Sequence, residues 1–120
     1  MLIIARQDKK IVAGALNFIG GDTLYGRNWG SIADIPFLHF ELCYYQAIEY
    51  AIENNIRIVE AGAQGHHKIQ RGYVAESTYS RHLIQNESFG KAVRNFVQLE
   101  SKEVDKQIQL INEQGSPYSN

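Results

Sequence analysis

Between Glu60 and Tyr73 the chain reads EAGAQGHHKIQRGY, and no other stretch holds so many groups capable of chemistry. Three glycines, two adjacent histidines, a lysine and an arginine fall within fourteen residues. An apolar run, Ile56 to Val59, leads into it, and a β-prone run, Thr78 to Ile84, leads out. A strand that ends in a glycine-spaced, cationic loop presents backbone N–H groups and positive side chains together, which suits a phosphate or a carboxylate. Gln64, His67, Lys68, Arg71 and Tyr73 are the side chains such a loop would offer to a substrate. An ordinary polar surface loop has the same composition, and no tight motif separates the two.

A second residue asks for an explanation. From Phe37 to Glu53 the apolar spacing is helical, and Phe37, Phe40, Tyr44, Ile48, Ala51 and Ile52 project to one face. His39, Gln46, Tyr50 and Glu53 fall opposite. Glu41 projects between Ile48 and Ile52, inside the apolar stripe. A carboxylate there costs several kcal/mol unless paired or protonated. Placement in the first helical turn returns only about 0.3–1 kcal/mol. Glu41 therefore has either a cationic partner, with Arg71, Lys68 and Arg27 as candidates, or a chemical role.

The elements that must hold these residues follow in order. Leu2 to Ala5 reads as a first strand and Asp8 to Lys10 as a polar turn. Ile11 to Ile19 reads as a second strand whose near-continuous apolar run suggests burial on both faces for part of its length. Gly20, Gly21 and Asp22 form a hairpin turn, and Thr23 to Trp29 a third strand. Asp34 and Pro36 mark the start of the helix just described, and Asn54 and Asn55 its end. The next strand leads into the cationic loop, and Thr78 to Ile84 reads as a fifth strand. Asn86 or Ser88 caps a long helix from Phe89 to Asn112, with Phe89, Val93, Phe96, Val97, Val104, Ile108 and Ile111 at spacings of three and four. The expected order is βββαββα, an α/β domain over residues 1–115 with a frayed tail at 116–120.

Composition bounds what this domain does. At 120 residues and a net charge of −1, it has one modest core and no overall field for nucleic acid or an acidic membrane. The single cysteine, Cys43, excludes an internal disulfide and a cysteine-based zinc cluster, and reads as a small buried hydrophobe. No stretch approaches a membrane span and no signal peptide is recognisable, so the expected address is cytoplasmic. Adjacent His66 and His67 point apart, and no i, i+4 histidine pair exists, which argues against a metal. There is no nucleophile elbow, P-loop or dinucleotide fingerprint. The tyrosines, Tyr25, Tyr44, Tyr45 and Tyr79 among them, read as packing residues, with Tyr73 the exception.

The segments IVAGALNFIGGDTLYGRNWG (Ile11 to Gly30), PFLHFELCYYQAIEYAI (Pro36 to Ile52) and VEAGAQGHHKIQRGY (Val59 to Tyr73) resemble the carboxy-terminal half of FemAB-like proteins of peptidoglycan biosynthesis or recognition. These fall within the GNAT acyltransferase superfamily. The resemblance implies a GNAT-like mixed sheet flanked by helices, half of a full family member, hence a fragment or truncated reading frame. It implies transfer of an acyl or aminoacyl group to an amine of a cell-wall precursor or related acceptor. The donor would be an aminoacyl-tRNA or an acyl-coenzyme A, with no tightly bound cofactor. The glycine-rich pyrophosphate turn of coenzyme A binders is not recognisable. Lys68 most nearly matches the lysine that lies near donor or substrate phosphates in cross-bridge enzymes, though at a different spacing.

On that reading Glu41 or Glu60 accepts a proton from the attacking amine. Lys68 and Arg71 hold a phosphate or carboxylate, and backbone N–H groups meet the oxyanion. The alternatives are a non-catalytic module that binds a cell-wall or phosphate-bearing ligand through the same loop, and an inactive dimerising fragment. An unpaired sheet edge at Leu2 to Ala5 and the apolar stripe of the last helix imply a homodimer or a missing amino-terminal half.

Overall fold

Alternation along the second strand sets the layout. On β2 (Lys10–Gly20), Ala13, Ala15 and Asn17 are buried, whereas Leu16 and Phe18 on the other side are exposed. Small residues on the inner face let a helix come close, and one covered face is enough for an antiparallel sheet. The expected burial on both faces is therefore corrected to burial on one. The computed structural model describes residues 1–62 and 66–114. Contacts divide the chain into two units, Met1–Gln64 and Gly65–Asn120.

The first unit is a four-stranded sheet in the order β1-β2-β3-β4. β1 (Leu2–Gln7), β2 and β3 (Thr23–Ser31) form the expected antiparallel meander. Asp8 and Lys9 turn the first hairpin with φ of 48° and 69°, and Gly21 turns the second with φ of 59°. Positive φ at such positions matches the twist of the strands they join. β4 (Ile58–Glu60) runs parallel to β3 and pairs only Thr23↔Ile58, Leu24↔Val59 and Tyr25↔Glu60. Asp22, at the hairpin tip, accepts backbone hydrogen bonds from Arg57 and Ile58 at 3.0 and 3.1 Å and so fixes where β4 begins.

The helical crossover between β3 and β4 differs from a plain α-helix. It comprises α1 (Leu38–Phe40), a π-turn (Glu41–Tyr45) and α2 (Gln46–Glu53). Asp34 and Pro36 do not open it. Phe37 is the N-cap, left-handed at φ 65°, without a side-chain cap bond. The extra residue of a π-turn rotates the helix face. Leu42, Tyr44, Ala47 and Ala51 are thereby buried, while Phe37 and Ile52 are 78% and 72% exposed. Glu41 is exposed, so its placement inside the apolar stripe is overturned. Leu42 packs on Ala13 and Ala15, with Ile3, Ala5, Leu38 and Cys43 around them. Asn54 ends α2 as expected, its N–H bonded to Tyr50 O at 3.0 Å.

In the second unit, α3 (His66–Ile69) is a short turn and α4 (Glu87–Gln114) a 28-residue helix. Asn86 caps α4, its Oδ1 accepting from Phe89 N at 2.9 Å. The fifth strand expected at Thr78 to Ile84 does not form; residues 74–86 carry no regular structure. A strand needs a ladder partner. Here Tyr79 and Leu83 are more than 90% exposed, and the backbone of Ala75 bonds a helix side chain instead. Asn112 donates to Ala75 O and accepts from Ala75 N, both at 2.8 Å. Ile84 meets the buried Gly90 near the other end of α4. The result is a mixed α/β structure in which the order βββαββα lacks its last strand. Among the described residues no helix is long and apolar enough to cross a membrane.

Candidate functional site

β3 leaves its regular course beside Asn17. Leu16 pairs with Asn28 and Asn17 with Gly26, so Arg27 is an extra residue, a β-bulge. Bulges re-aim side chains and end pairing. The β3–β4 ladder ends at Tyr25↔Glu60, one residue before Gly26. A cleft of about 140 Å³ lies at this place, lined by Asn17, Gly26, Arg27, Asn28, Trp29 and Ala61 from the sheet side and by His39, Cys43 and Tyr44 from the helical crossover.

Asn17 is the unusual member. It is 2% exposed, the largest buried polar side chain among the described residues. Its Nδ2 donates to Ala15 O at a long 3.4 Å, and among the described residues its Oδ1 accepts no hydrogen bond. That oxygen keeps a little access to solvent at the cleft, so it is open to a donor from outside. Gly26 keeps the space beside it open. A Cβ at Gly26 would lie 3.7 Å from Asn17 Oδ1 and 3.4 Å from Glu60 O, contacts that a methyl group fills without clash.

Aromatic rings form the far wall. His39 lies 5.2 Å from Trp29, 5.6 Å from Phe40 and 5.5 Å from Tyr44, the last edge-on. These are spacings of favourable ring contacts. Trp29 and His39 also line a wider, open groove of about 510 Å³ with Ile32, Ile35, Phe37 and Phe40. A narrow, partly polar cleft and a broad, mostly apolar groove therefore share one ring pair. Burial pushes the Cys43 thiol in the cleft above its ordinary value, which disfavours the nucleophilic thiolate.

The residues singled out from the sequence fall elsewhere. Glu41 is on the exposed side of the π-turn, where Gln46 Nε2 donates to Glu41 Oε1 at 2.9 Å. No cationic partner is needed for a carboxylate in that place. Glu60 closes β4 immediately before the cleft-lining Ala61. Gln64 lies outside the described residues. His67 and Lys68 belong to α3, and Arg71 Nη1 donates to His67 O at 2.6 Å, a cap on that turn. Partial burial pulls the Lys68 ammonium below its ordinary value. Tyr73 follows, its N–H bonded to Lys68 O at 3.2 Å. Glu41 and Glu60 thus sit in the first unit, and His67, Lys68, Arg71 and Tyr73 in the second. Among the described residues no three His, Cys, Asp or Glu side chains gather as a metal site.

Over residues 1–120 the sequence matches the family described as FemAB-like, peptidoglycan biosynthesis/recognition. The chain belongs to the FemAB-like family. No curated protein and no solved structure matches it. Membership ties this FemAB-like protein to peptidoglycan.

The cleft of the FemAB-like chain had signals in its sequence. Asn17 continues the inward series Ala13, Ala15, where an amide among small apolar residues is out of place unless something pairs it. Gly26 inside a strand pattern marks a bulge or a close approach. His39 was expected on the polar face of its helix, and the π-turn brings it to the rings instead.

Proposed function

We propose that this protein is an N-acyltransferase or aminoacyltransferase of FemAB/GNAT type, acting on an amine of a peptidoglycan precursor. Its place of action would be the cytoplasm, where aminoacyl-tRNA and acyl-coenzyme A are found. The observation that carries the reading is the parting of β3 and β4 beside Asn17, whose amide oxygen meets no donor among the described residues, within a chain of a peptidoglycan family. Strands that separate in this way leave backbone groups and side chains free to hold a reacting group.

In the reaction, the acceptor's amine nitrogen attacks the carbonyl carbon of the donor's ester or thioester. A C–N bond forms, the C–O or C–S bond breaks, and the amine's proton passes through a carboxylate to the leaving oxygen or sulfur. Glu60, next to the cleft-lining Ala61, is the carboxylate we assign to that proton, with Glu41 as the alternative. Lys68 and Arg71 are assigned to donor phosphates, as charge-assisted contacts.

The test is transfer of a labelled acyl or aminoacyl group from charged tRNA or acyl-coenzyme A to a soluble precursor. Label in the precursor supports the proposal. Binding of precursor without transfer from either donor would make the protein a recognition module.

A further inference from the structure

The cleft beside Asn17 has a chemistry of its own, apart from any group transfer. Its floor holds a neutral acceptor, Asn17 Oδ1, on a residue that is 2% exposed, and among the described residues no donor meets that oxygen. Among the described residues no carboxylate lines the cleft, and Arg27 does. An ammonium group therefore finds no opposite charge there, whereas a neutral N–H does find an acceptor. Asn28 and Arg27 supply donors for a carbonyl oxygen on the same ligand, and Trp29, His39 and Tyr44 supply an apolar wall for what flanks it. At about 140 Å³ the cleft admits one small group, not a whole precursor. A group with one N–H, one carbonyl and a small apolar end is a secondary amide.

We infer that the Asn17 cleft is a recognition subsite for a secondary amide, its N–H donating to Asn17 Oδ1 and its carbonyl accepting from Asn28 or Arg27. The inference rests on the peptidoglycan reading only for the ligand's source. Peptidoglycan offers this chemistry twice, as the acetamido group of an N-acetylated amino sugar and as a peptide amide of the stem.

Calorimetric titration of the full chain with N-acetylglucosamine, glucosamine and N-acetylalanine methylamide tests the inference. A soluble disaccharide-peptide precursor is titrated alongside. At least one amide should bind and glucosamine, which lacks it, should not; whichever amide binds names the source. Gly26→Ala fills the space beside Asn17 Oδ1 with a methyl in ordinary contact. That variant should keep its circular dichroism and lose about tenfold or more in amide affinity. Asn17→Ala should lose the same affinity, but its burial makes Gly26→Ala the deciding variant.

Binding of the precursor with no binding of either amide would overturn the subsite and leave the peptidoglycan reading standing. Amide binding without precursor binding would keep the subsite and sink that reading. A folded Gly26→Ala protein with unchanged affinity would overturn the subsite, and binding of none of the ligands would overturn both.

Discussion

Cys43 lines the cleft half-buried, and burial raises its thiol above the ordinary range. The thiolate fraction near neutral pH is correspondingly small, and it grows only as pH climbs past the ordinary thiol value. Alkylation by iodoacetamide should be slow in the folded protein, fast in denaturant, and slower again with ligand in the cleft. Mass spectrometry of timed samples checks this, and equal rates folded and unfolded would contradict it. Glu41 gives the opposite expectation to the one its helical projection suggests. It is exposed and bonded to Gln46, and an exposed polar pair of this kind contributes little. Glu41→Gln keeps an acceptor oxygen, so the variant should lose less than about 0.5 kcal/mol in thermal denaturation. A loss of several kcal/mol would mean that a charge partner has been stranded.

The π-turn explains why some elements were legible in the sequence and others were not. The meander, both hairpin turns, the end of α2 at Asn54 and the Asn86 cap all rest on local rules of alternation, positive φ and capping. They form close to where those rules put them. The helix face does not, because one inserted residue between Glu41 and Tyr45 shifts every later side chain, and nothing in a 3.6-residue projection reports it. The fifth strand fails for a related reason. Thr78 to Ile84 has strand-like composition, but pairing is a long-range property, and this segment meets Asn112 and Gly90 of α4 instead of a ladder. Of the cleft, Glu60 was singled out in the sequence only as a candidate proton acceptor and falls beside the lining residue Ala61, whereas neither the cleft at the bulge nor the place of His39 beside Trp29 is visible in the sequence. The pair of hydrogen bonds between Asn112 and Ala75 should hold the irregular strap at 74–86. Asn112→Ala should raise amide hydrogen exchange at Ala75 by about fivefold or more, the loss of about 1 kcal/mol. Exchange unchanged from the parent would show that other contacts hold the strap.

Both units present apolar surface. In the first, Leu2, Ile4, Leu16 and Phe18 are exposed on one sheet face, with β1 at the edge. In the second, Phe89, Phe96, Leu99 and Leu110 of α4 are exposed. An open sheet edge and apolar patches invite association. The isolated chain should therefore sediment as a dimer or larger at micromolar concentration, and a folded monomer there would contradict that expectation. The account turns on where peptidoglycan chemistry meets this chain, and shift mapping of the backbone amides with a soluble disaccharide-peptide precursor measures that directly. Asn17, Gly26, Asn28, Trp29 and His39 should move on titration. Shifts confined to His67 through Tyr73, with the Asn17 cleft silent, would contradict the account and return the site to the cationic loop.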